Sequence, residues 1–280
     1  MVKQNEITNY WEKEVCGTRY IDSEKYDPNN YKKLRNLRYS LEPYIREFAF
    51  GENKEHIKGK NLLEIGVGAG IDFIEFLKKG AICYGIDATN SAIKETERNI
   101  KYALAEKEYS LSYLKRNNAE ELPFNDNFFD IVYSHGVIHH AKNTMKCLSE
   151  AQRVLKKGGI LKIMVYSSFS ATGLMLWVYY GLAKFNFFIS QEDLIFNYLE
   201  SPGTKSYGKK ELKKIIEGFS FKVIKIQKNL GIGDLLLIKA SKKYEKNIFF
   251  KIVKKIYPRF IVKKLEKYLG GAITVIAIKE

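Results

Sequence analysis

The chain has 280 residues, of which 45% are hydrophobic and 28% charged, with a formal net charge of +15. It is long enough to bury a core, its composition is ordinary for a soluble globular protein, and no internal repeat or low-complexity tract indicates a fibrous or disordered chain. The polar start, MVKQNEITNYWEKE, lacks the apolar core of a secretory signal. Cys16, Cys83 and Cys147 are widely spaced, which predicts reduced thiols in a cytoplasmic protein without a metal site.

The segment 1–55 contains WEKEVCGTRY and a tyrosine-rich stretch that ends in LRYSLEPYIREF. We interpret it as an N-terminal helical cap over the ligand of the domain that follows. Tyr20, Tyr39 and Tyr44 are candidates for contacts with that ligand, although the chain has 19 tyrosines and the pattern favours none of these three.

A glycine-rich sequence from Asn61 to Gly70, NLLEIGVGAG, says more about the fold and its ligand than any other segment of the chain. Its apolar start predicts a strand buried on both faces. Gly66, Gly68 and Gly70 follow at every second position, where the backbone can turn sharply and no β-carbon separates it from a neighbour. The next residues, IDFIEFLKK, have apolar side chains at helical spacing. Strand, glycine loop and helix therefore follow in the order of a dinucleotide-binding fold.

A second apolar strand, ending in Asp87, follows the first helix, and its acid lies about 20 residues beyond the glycines. Doubly wound folds place there the carboxylate that accepts hydrogen bonds from ribose hydroxyls. Thr89 and Asn90 are possible N-caps of the next helix, SAIKETERNIKYAL. A carboxylate that only caps this helix is the alternative role for Asp87.

Three more strands are predicted at 110–115, 130–134 and 160–166. They are accompanied by the sequences NAEELPF, FFDIV, SHGVIHH and RVLKKGG. The glycine loop itself departs from a nicotinamide fingerprint, because Ile71 stands where G-x-G-x-x-G needs a third small residue.

The acidic-x-Gly-x-Gly-x-Gly form from Glu64 to Gly70 resembles motif I of the class I S-adenosylmethionine-dependent methyltransferases. The downstream sequences are similar to GDAE-x-LPF, FD-x-V, S-x-G-V-x-HH and RVLKPGG of the same family, and the similarity is closest to its ubiquinone and menaquinone type. The resemblance runs from about residue 46 to residue 166. The CGT and RY-x-x-EP elements near the start are shared with a bacterial subgroup whose substrate is unassigned.

Two positions depart from the family pattern. Asn118 stands where the family has Asp, but its amide oxygen can still accept a hydrogen bond from an adenine amino group. Lys157 replaces the proline before Gly158 and Gly159, and those glycines still supply the turn.

The resemblance implies an α/β, Rossmann-like fold. We expect a seven-stranded, mostly parallel sheet with an antiparallel last strand and helices on both faces. The sixth and seventh strands are assigned to 221–227 and 272–279, and the last is almost uniformly apolar, which suits a position inside the sheet. The methyltransferase domain would span 56–280, after the helical cap at 1–55.

Two insertions of this domain are expected at 167–207 and 231–270. Ligands of open α/β sheets bind beyond the carboxyl ends of the strands. The helical cap and the first insertion are therefore the predicted lid and acceptor pocket, with the apolar helix around 173–183 lining it. This helix is too short for the roughly 20 residues that span a membrane. A helix in the membrane interface and plain core packing are the alternatives.

The resemblance also implies S-adenosyl-L-methionine as cofactor, and the matching motif positions supply its binding residues. In this sequence they are Glu64, Gly66, Gly68, Gly70, Asp87, Ala88, Asn118, Ala119, Glu120, Ser134, His135 and Gly136.

Methyl transfer requires alignment of the acceptor, exclusion of water and, for some acceptors, removal of a proton. The candidate catalytic residues are three histidines at the ligand-facing end of the fourth strand: His135, His139 and His140. His135 could act as a general base, since an unperturbed imidazole titrates near pH 6.5, at about neutrality. The alternative is that His139 and His140 order the loop by hydrogen bonding.

The segment 241–268 contains ten basic and two acidic residues. One interpretation is peripheral contact with an anionic membrane at the inner face; an ordinary amphipathic surface helix and a generally lysine-rich composition are the alternatives, and nucleic acid is not an expected partner. The acceptor is expected to be a small apolar molecule. A nicotinamide-dependent oxidoreductase and a non-catalytic or peripheral membrane protein that keeps the cofactor fold are the alternative functions. The methylated atom and the oligomeric state are left open.

Overall fold

The structure is a computed structural model. It describes residues 4–13, 15, 18, 29–51, 57–104, 108–182, 184–199, 201, 203–237 and 248–280. Cys16, Tyr20 and parts of the predicted helical cap and basic segment lie outside the described residues.

The described part of the chain forms one eight-stranded sheet. Its strands are β1 (Asn61–Ile65), β2 (Ile82–Asp87), β3 (Ser110–Arg116), β4 (Phe129–His135), β5 (Leu155–Ser167), β6 (Ser206–Tyr207), β7 (Phe221–Asn229) and β8 (Ala272–Lys279). The order is β3-β2-β1-β4-β5-β8-β7, and β6 pairs with the end of β5. β8 is antiparallel to both β5 and β7, and the other pairs are parallel. The predicted fold, with its antiparallel last strand inside the sheet, is confirmed. Only the two-residue β6 was not predicted, because so short a strand has no periodicity.

Helices flank both faces of the sheet and cover its carboxyl edge. They are α1 (Gln4–Lys13), α2 (Asn29–Leu41), α3 (Tyr44–Phe50), α4 (Ile71–Lys78), α5 (Asn90–Ala103), α6 (Thr144–Val154), α7 (Ala171–Trp177), α8 (Gln191–Leu194), α9 (Lys209–Glu217), α10 (Ile248–Ile256), α11 (Arg259–Lys264) and α12 (Glu266–Leu269). A turn of 3-10 helix follows β4 at Ile138–His140. Single π-helical turns, Val178–Leu182 and Ile195–Leu199, extend α7 and α8.

The core lies on both faces of the sheet because successive side chains of a strand point to opposite sides. Leu62 of β1 belongs to the layer formed with α2 to α5, and Leu63 belongs to the layer formed with α6 and α9. Both side chains are fully buried, as predicted for a strand covered on both faces. Thr89 caps α5 by accepting a hydrogen bond from the Ala92 amide, also as predicted.

Candidate active site

The glycine loop after β1 turns through backbone conformations that favour glycine. The φ angle is 81° at Gly66, 55° at Gly68 and 74° at Gly70. A β-carbon on Gly66 would overlap the side chain of Val137, and one on Gly70 would overlap that of Thr96. The loop therefore requires glycine at these two positions both for its conformation and for its contacts.

Asp87, at the end of β2, supports this loop. Its Oδ2 accepts a hydrogen bond from the Gly68 amide at 3.1 Å, and its Oδ1 accepts from the amide and hydroxyl of Thr89 at 3.0 and 2.8 Å. Burial raises the pKa of Asp87, although these hydrogen bonds lower it. A carboxylate offers about four lone-pair sites, so Asp87 can still accept a hydrogen bond from a hydroxyl group of a ligand.

A cavity of about 460 Å³ extends from the glycine loop to the helices over the carboxyl edge of the sheet. Near the loop it is lined by the residues that follow β1, β2, β3 and β4. Beyond them the wall is mostly apolar and comes from α2, α7, the π-helical turn after α8 and the loop 231–237. We call this part the acceptor half of the cavity. Its apolar side chains are Leu34, Leu37, Leu41, Met175, Leu176, Ile195, Leu199, Ile232 and Leu236.

A buried ion pair in the cavity wall joins α2 to α4. Arg38 donates through Nε and Nη2 to the two oxygens of Asp72, at 3.0 and 2.6 Å. The hydroxyls of Tyr39 and Tyr133 donate to the same carboxylate at 2.8 and 2.7 Å. Burial alone would raise the pKa of Asp72, but the Arg38 guanidinium lowers it to about 2. Asp72 is thus an ionised anchor for α2.

A second ion pair repeats this arrangement along the same two helices. Arg35 donates to the two oxygens of Glu75 at 2.8 and 2.9 Å. Residues three apart in a helix share a face, so Arg35 and Arg38 on α2 meet Glu75 and Asp72 on α4.

His135, at the end of β4, has both ring nitrogens engaged. Arg38 Nη2 lies 3.2 Å from Nδ1, and the Tyr44 hydroxyl lies 3.2 Å from Nε2. Because a guanidinium can only donate, Nδ1 accepts and the ring proton is on Nε2, which donates to Tyr44. Burial and the Arg38 charge lower the pKa of His135 to about 3. The ring is neutral, and it could serve as a general base only by giving up one of these contacts.

His139 and His140 are buried on the 3-10 turn, with ring centroids 4.2 Å apart. His140 Nδ1 lies 3.0 Å from the hydroxyl oxygens of both Ser201 and Thr204. Neither ring nitrogen of His139 has a hydrogen-bond partner among the residues that the structure describes. Burial lowers the pKa of both, to about 3 for His140. The hydrogen bonds of His140 favour the loop-ordering role for that residue, whereas His139 orders the loop through no hydrogen bond within the described residues. The lowered pKa of both rings disfavours proton removal.

Glu42 places a carboxylate in the acceptor half of the cavity. The residue is 7% exposed. The Tyr44 hydroxyl donates to its Oε1 at 3.3 Å, and the Ile232 amide also donates to it. Burial raises the pKa of Glu42 to about 7, against the opposing effects of Arg38 and these hydrogen bonds. Glu42 therefore changes charge near neutral pH.

Asp234, in the loop after β7, holds another part of the cavity wall. It accepts hydrogen bonds from the amides of Gly231, Gly271 and Thr172 at 2.8, 2.7 and 3.1 Å, and from the Thr172 hydroxyl at 2.9 Å. These four donors use the capacity of the carboxylate. The insertion 231–270 therefore contributes to the cavity, whereas the sequence assigned the pocket to the other two segments alone.

Comparisons with known proteins agree on one family. A family model described as a methyltransferase domain matches residues 63–163. An uncharacterized protein of Methanocaldococcus jannaschii is 30% identical over 199 residues, which cover 68% of this chain and 85% of that protein. A ubiquinone biosynthesis O-methyltransferase of Pelagibacter ubique is 25% identical over 198 residues, covering 65% of this chain and 80% of that enzyme. The chain belongs to the class I S-adenosylmethionine-dependent methyltransferases.

The fold of this methyltransferase is shared by solved structures. Magnesium protoporphyrin IX methyltransferase from Synechocystis, solved with bound SAH, superimposes with a TM-score of 0.59 at 11% identity, covering 99% of this chain and 100% of that one. S-adenosylmethionine-dependent methyl transfer, expected from the motifs, is therefore confirmed, and the oxidoreductase and non-catalytic alternatives find no support.

The residues near the glycine loop fit S-adenosylmethionine. Asp87 retains acceptor capacity toward ribose hydroxyls. Glu64 Oε2 is buried, and no residue in the described ranges donates to it. Burial and the neighbouring Asp72 charge raise the pKa of Glu64 well above its usual range. A cationic amino group placed beside this carboxyl would both satisfy the oxygen and lower its pKa.

Most of the residues predicted for the site line the cavity of the methyltransferase. These are Glu64, Gly66, Gly68, Asp87, Ala88, Asn118, Ala119, His135, Gly136 and His140. Four others lie outside its lining. Gly70 packs on Thr96, and Glu120 accepts a hydrogen bond from the Asn143 amide at 2.9 Å. Ser134 and His139 are fully buried.

Four charged residues of the cavity wall had no predicted role in the site: Arg38, Glu42, Asp72 and Asp234. Arg38 and Glu42 could have been predicted from the sequence, because the RY-x-x-EP element contains both. The signal in the sequence is that these two charged residues lie beside leucines at helical spacing, Leu34, Leu37 and Leu41. Asp72 and Asp234 carried no such signal, since each lies in an ordinary helix or loop pattern.

We expect Asp87→Ala to weaken the affinity for S-adenosylhomocysteine by about 1–3 kcal/mol, because a charged hydrogen-bond acceptor is lost. Calorimetric titration measures the change. Asp130→Ala is the matched control, since Asp130 also accepts from a backbone amide, that of Asn61, but at the opposite end of the strands. Equal affinities of the Asp87 variant and the wild type would assign the ribose contact elsewhere.

Proposed function

We propose that this methyltransferase methylates a small apolar molecule that occupies the acceptor half of the cavity. The proposal rests on the composition of the wall in that half, where leucine, isoleucine and methionine side chains outnumber polar ones. The acceptor half is part of a cavity of about 460 Å³ that must also hold the cofactor, so the space left for the acceptor is of small-ligand size. The similarity to an O-methyltransferase of ubiquinone biosynthesis supports the same class of acceptor.

When bound, S-adenosylmethionine supplies the methyl group on a cationic sulfur, so that the acceptor's electron pair forms the new bond and the sulfur–carbon pair leaves with sulfur. The residues of this chain bind and orient. We propose that Asp87 holds the ribose, that Glu64 holds the amino group, and that Gly66 and Gly68 let the backbone approach. The lid helix α2, fixed by Arg38 to Asp72, excludes water from the reacting groups.

The proposal is tested by incubating the protein with methyl-labelled S-adenosylmethionine and separate organic and aqueous extracts of its source cells. Labelled products are then identified by mass spectrometry. We expect label in a compound of the organic extract and none with the Gly68→Val variant, whose side chain would obstruct the cofactor loop. Label confined to protein, nucleic acid or water-soluble compounds would contradict an apolar small-molecule acceptor.

A surface of α10 and α11 favours a second proposal, that the protein works in the cytoplasm at an anionic membrane. Ile248, Ile252 and Ile256 are four residues apart, hence on one helix face, and are 72%, 56% and 73% exposed. Phe260 and Ile261 of α11 are also more than half exposed, at 69% and 55%.

Exposed lysines accompany these apolar side chains along both helices and the segment after them: Lys254, Lys255, Lys263, Lys264 and Lys267. Apolar and basic side chains together are the composition of helices that bind membrane interfaces. Lys254 also lines the cavity, so this surface borders the acceptor half and could receive an apolar acceptor from lipid. No helix in the described ranges is long and apolar enough to cross a bilayer.

Flotation with phosphatidylcholine vesicles, with and without phosphatidylglycerol, tests the membrane proposal. Changing Lys255, Lys263, Lys264 and Lys267 to Glu should reduce partition into the anionic vesicles more than about 100-fold, at about 1 kcal/mol per lysine. The matched control changes the four exposed lysines of α9 to Glu, which alters the net charge equally on another surface: Lys209, Lys210, Lys213 and Lys214. Equal partition of both variants would reject a membrane surface at α10 and α11.

A further inference from the structure

Glu42 is the carboxylate in the acceptor half of the cavity with the greatest spare hydrogen-bonding capacity. It accepts from Tyr44 and from the Ile232 amide, which leaves about two of the four lone-pair sites of a carboxylate for a ligand. Asp234, in the same half, already accepts four hydrogen bonds. Asp72 likewise accepts four, from Arg38 and two tyrosines.

The other titratable groups of the cavity are occupied or lie on the cofactor side. His135 uses both ring nitrogens. His140 Nδ1 is held by two hydroxyls, and burial lowers the pKa of this ring to about 3, which makes it a weak base. Glu64 and Asp87 end β1 and β2 beside the glycine loop, where the cofactor is expected. Among the carboxylates of the cavity, Glu42 thus combines a position in the acceptor half with unused acceptor sites, which suits proton transfer with the acceptor.

The elements packed around Glu42 set its charge. Arg38 of α2 favours the ionised form, and Asp72 of α4 opposes it. Tyr44 of α3 donates to the carboxylate and is itself in contact with His135 of β4. Burial outweighs these effects and raises the pKa to about 7. A base is most efficient when its pKa lies near the working pH, because it is then both ionised and able to hold a proton.

We propose that Glu42 is the general base of the reaction and that the acceptor is an apolar molecule methylated on a hydroxyl oxygen. A hydroxyl oxygen becomes a good nucleophile as its proton leaves, and a neutral hydroxyl enters an apolar cavity at less cost than a cation. The proton passes from the hydroxyl to a Glu42 oxygen, and the hydroxyl oxygen keeps the electron pair with which it binds the methyl group. Solvent takes the proton from Glu42 after the ether product leaves. This inference rests on the acceptor cavity proposed above.

The test compares Glu42→Gln with Glu47→Gln, the same change at an exposed glutamate of α3 that pairs with Lys225. The probes are 4-hexylphenol and 4-hexyl-2-nitrophenol, which share an apolar body. The nitro compound ionises without help near neutral pH, whereas an ordinary phenol has a pKa of about 10, as tyrosine does. Calorimetry with S-adenosylhomocysteine establishes for each variant that the cofactor site is intact.

Glu42→Gln should lower the rate of 4-hexylphenol methylation by about 10²–10⁴-fold, which is the usual contribution of a general base. It should lower the rate of nitrophenol methylation far less, because that compound loses its proton without a base. With wild type, the rate on 4-hexylphenol should rise as the pH rises through about 7, and this dependence should vanish in the variant. Glu47→Gln should behave as wild type. Infrared difference spectra of the two proteins without cofactor should show a carboxyl signal that titrates near neutral pH in the wild type and is lost in Glu42→Gln, whatever other carboxyls titrate in both.

Three outcomes overturn the inference. If Glu42→Gln binds S-adenosylhomocysteine normally and keeps both rates and the pH dependence, Glu42 is not the base. If the wild-type spectra show no carboxyl that titrates near neutral pH, Glu42 does not change its protonation state in that range. This conclusion needs only the wild type, so it stands even if Glu42→Gln fails to fold. If the wild type binds S-adenosylmethionine but methylates neither phenol, the proposed acceptor class fails first, and the inference fails with it.

Discussion

Asp72→Ala is expected to destabilise the protein by about 3–5 kcal/mol, because it leaves the half-buried Arg38 and two buried tyrosine hydroxyls without their carboxylate partner. The same change removes the acceptor for the hydroxyls of Tyr39 and Tyr133, so three elements, α2, α4 and β4, lose their common contact. Urea unfolding followed by circular dichroism measures the loss. Asp126→Ala is the control: Asp126 also pairs with an arginine, Arg153, but its side chain is 67% exposed, and its removal should cost at most about 1 kcal/mol.

The dependence of stability on pH provides an independent check on Asp72. Its pKa is lowered from 3.8 to about 2 in the folded protein. A lowered folded pKa means that the stabilisation is complete above the unfolded value and is lost as the pH falls through the folded value. The wild type should therefore lose this contribution between about pH 4 and pH 2, and Asp72→Ala should not. An Asp72→Ala variant as stable as the Asp126 control would show that the ion pair does not anchor the lid helix.

Gly66→Ala is expected to abolish cofactor binding and to cost about 2–5 kcal/mol of folding free energy. About 1–2 kcal/mol comes from forcing a β-carbon into the left-handed conformation, and the rest from overlap with Val137. Gly59→Ala is the control, because Gly59 has a similar φ of 72° but no atom within 4 Å of the added carbon. It should show the backbone cost alone.

A double variant separates the two costs at Gly66. Val137→Ala removes the two methyl groups that the new β-carbon would overlap. Gly66→Ala with Val137→Ala should therefore recover part of the lost stability, while Val137→Ala alone should destabilise. Suppose that Gly66→Ala and Gly59→Ala cost the same folding free energy and that Gly66→Ala still binds S-adenosylhomocysteine. Close packing of the glycine loop against Val137 is then not required for the cofactor site.

The sheet and its glycine loop were predictable because their signals are local. Apolar runs of strand length, glycines at alternate positions and an acid after the second strand can be read without knowing what packs against them. The apolar character of 272–279 was sufficient to place β8 inside the sheet. β5 is an exception at its start: Gly158 and Gly159 were read as a turn before the strand, whereas β5 already begins at Leu155.

The chemistry of the acceptor half could not be read in the same way, because it depends on contacts between distant segments. His135 looks like a free base in the sequence, but Arg38 and Tyr44, about a hundred residues earlier, occupy its two nitrogens. Glu42 is the reverse case, because the sequence does not mark it as a base and its surroundings in the fold do. In the sequence it is one acid of a short motif, and only its burial in the folded protein raises its pKa to about 7, against the lowering effects of Arg38, Tyr44 and the Ile232 amide.

The pairing of Asn229 with Ala272 has a consequence for how such enzymes diversify. β7 and β8 already face each other at these residues, so a tight hairpin turn could join them, yet the chain departs at 230 and returns at 271. Asp234 ties both ends of this detour together through the amides of Gly231 and Gly271. The segment between these two residues can thus be replaced by another without altering the sheet. A segment with different side chains beside the cavity would select a different acceptor, while the methyl donor stays the same.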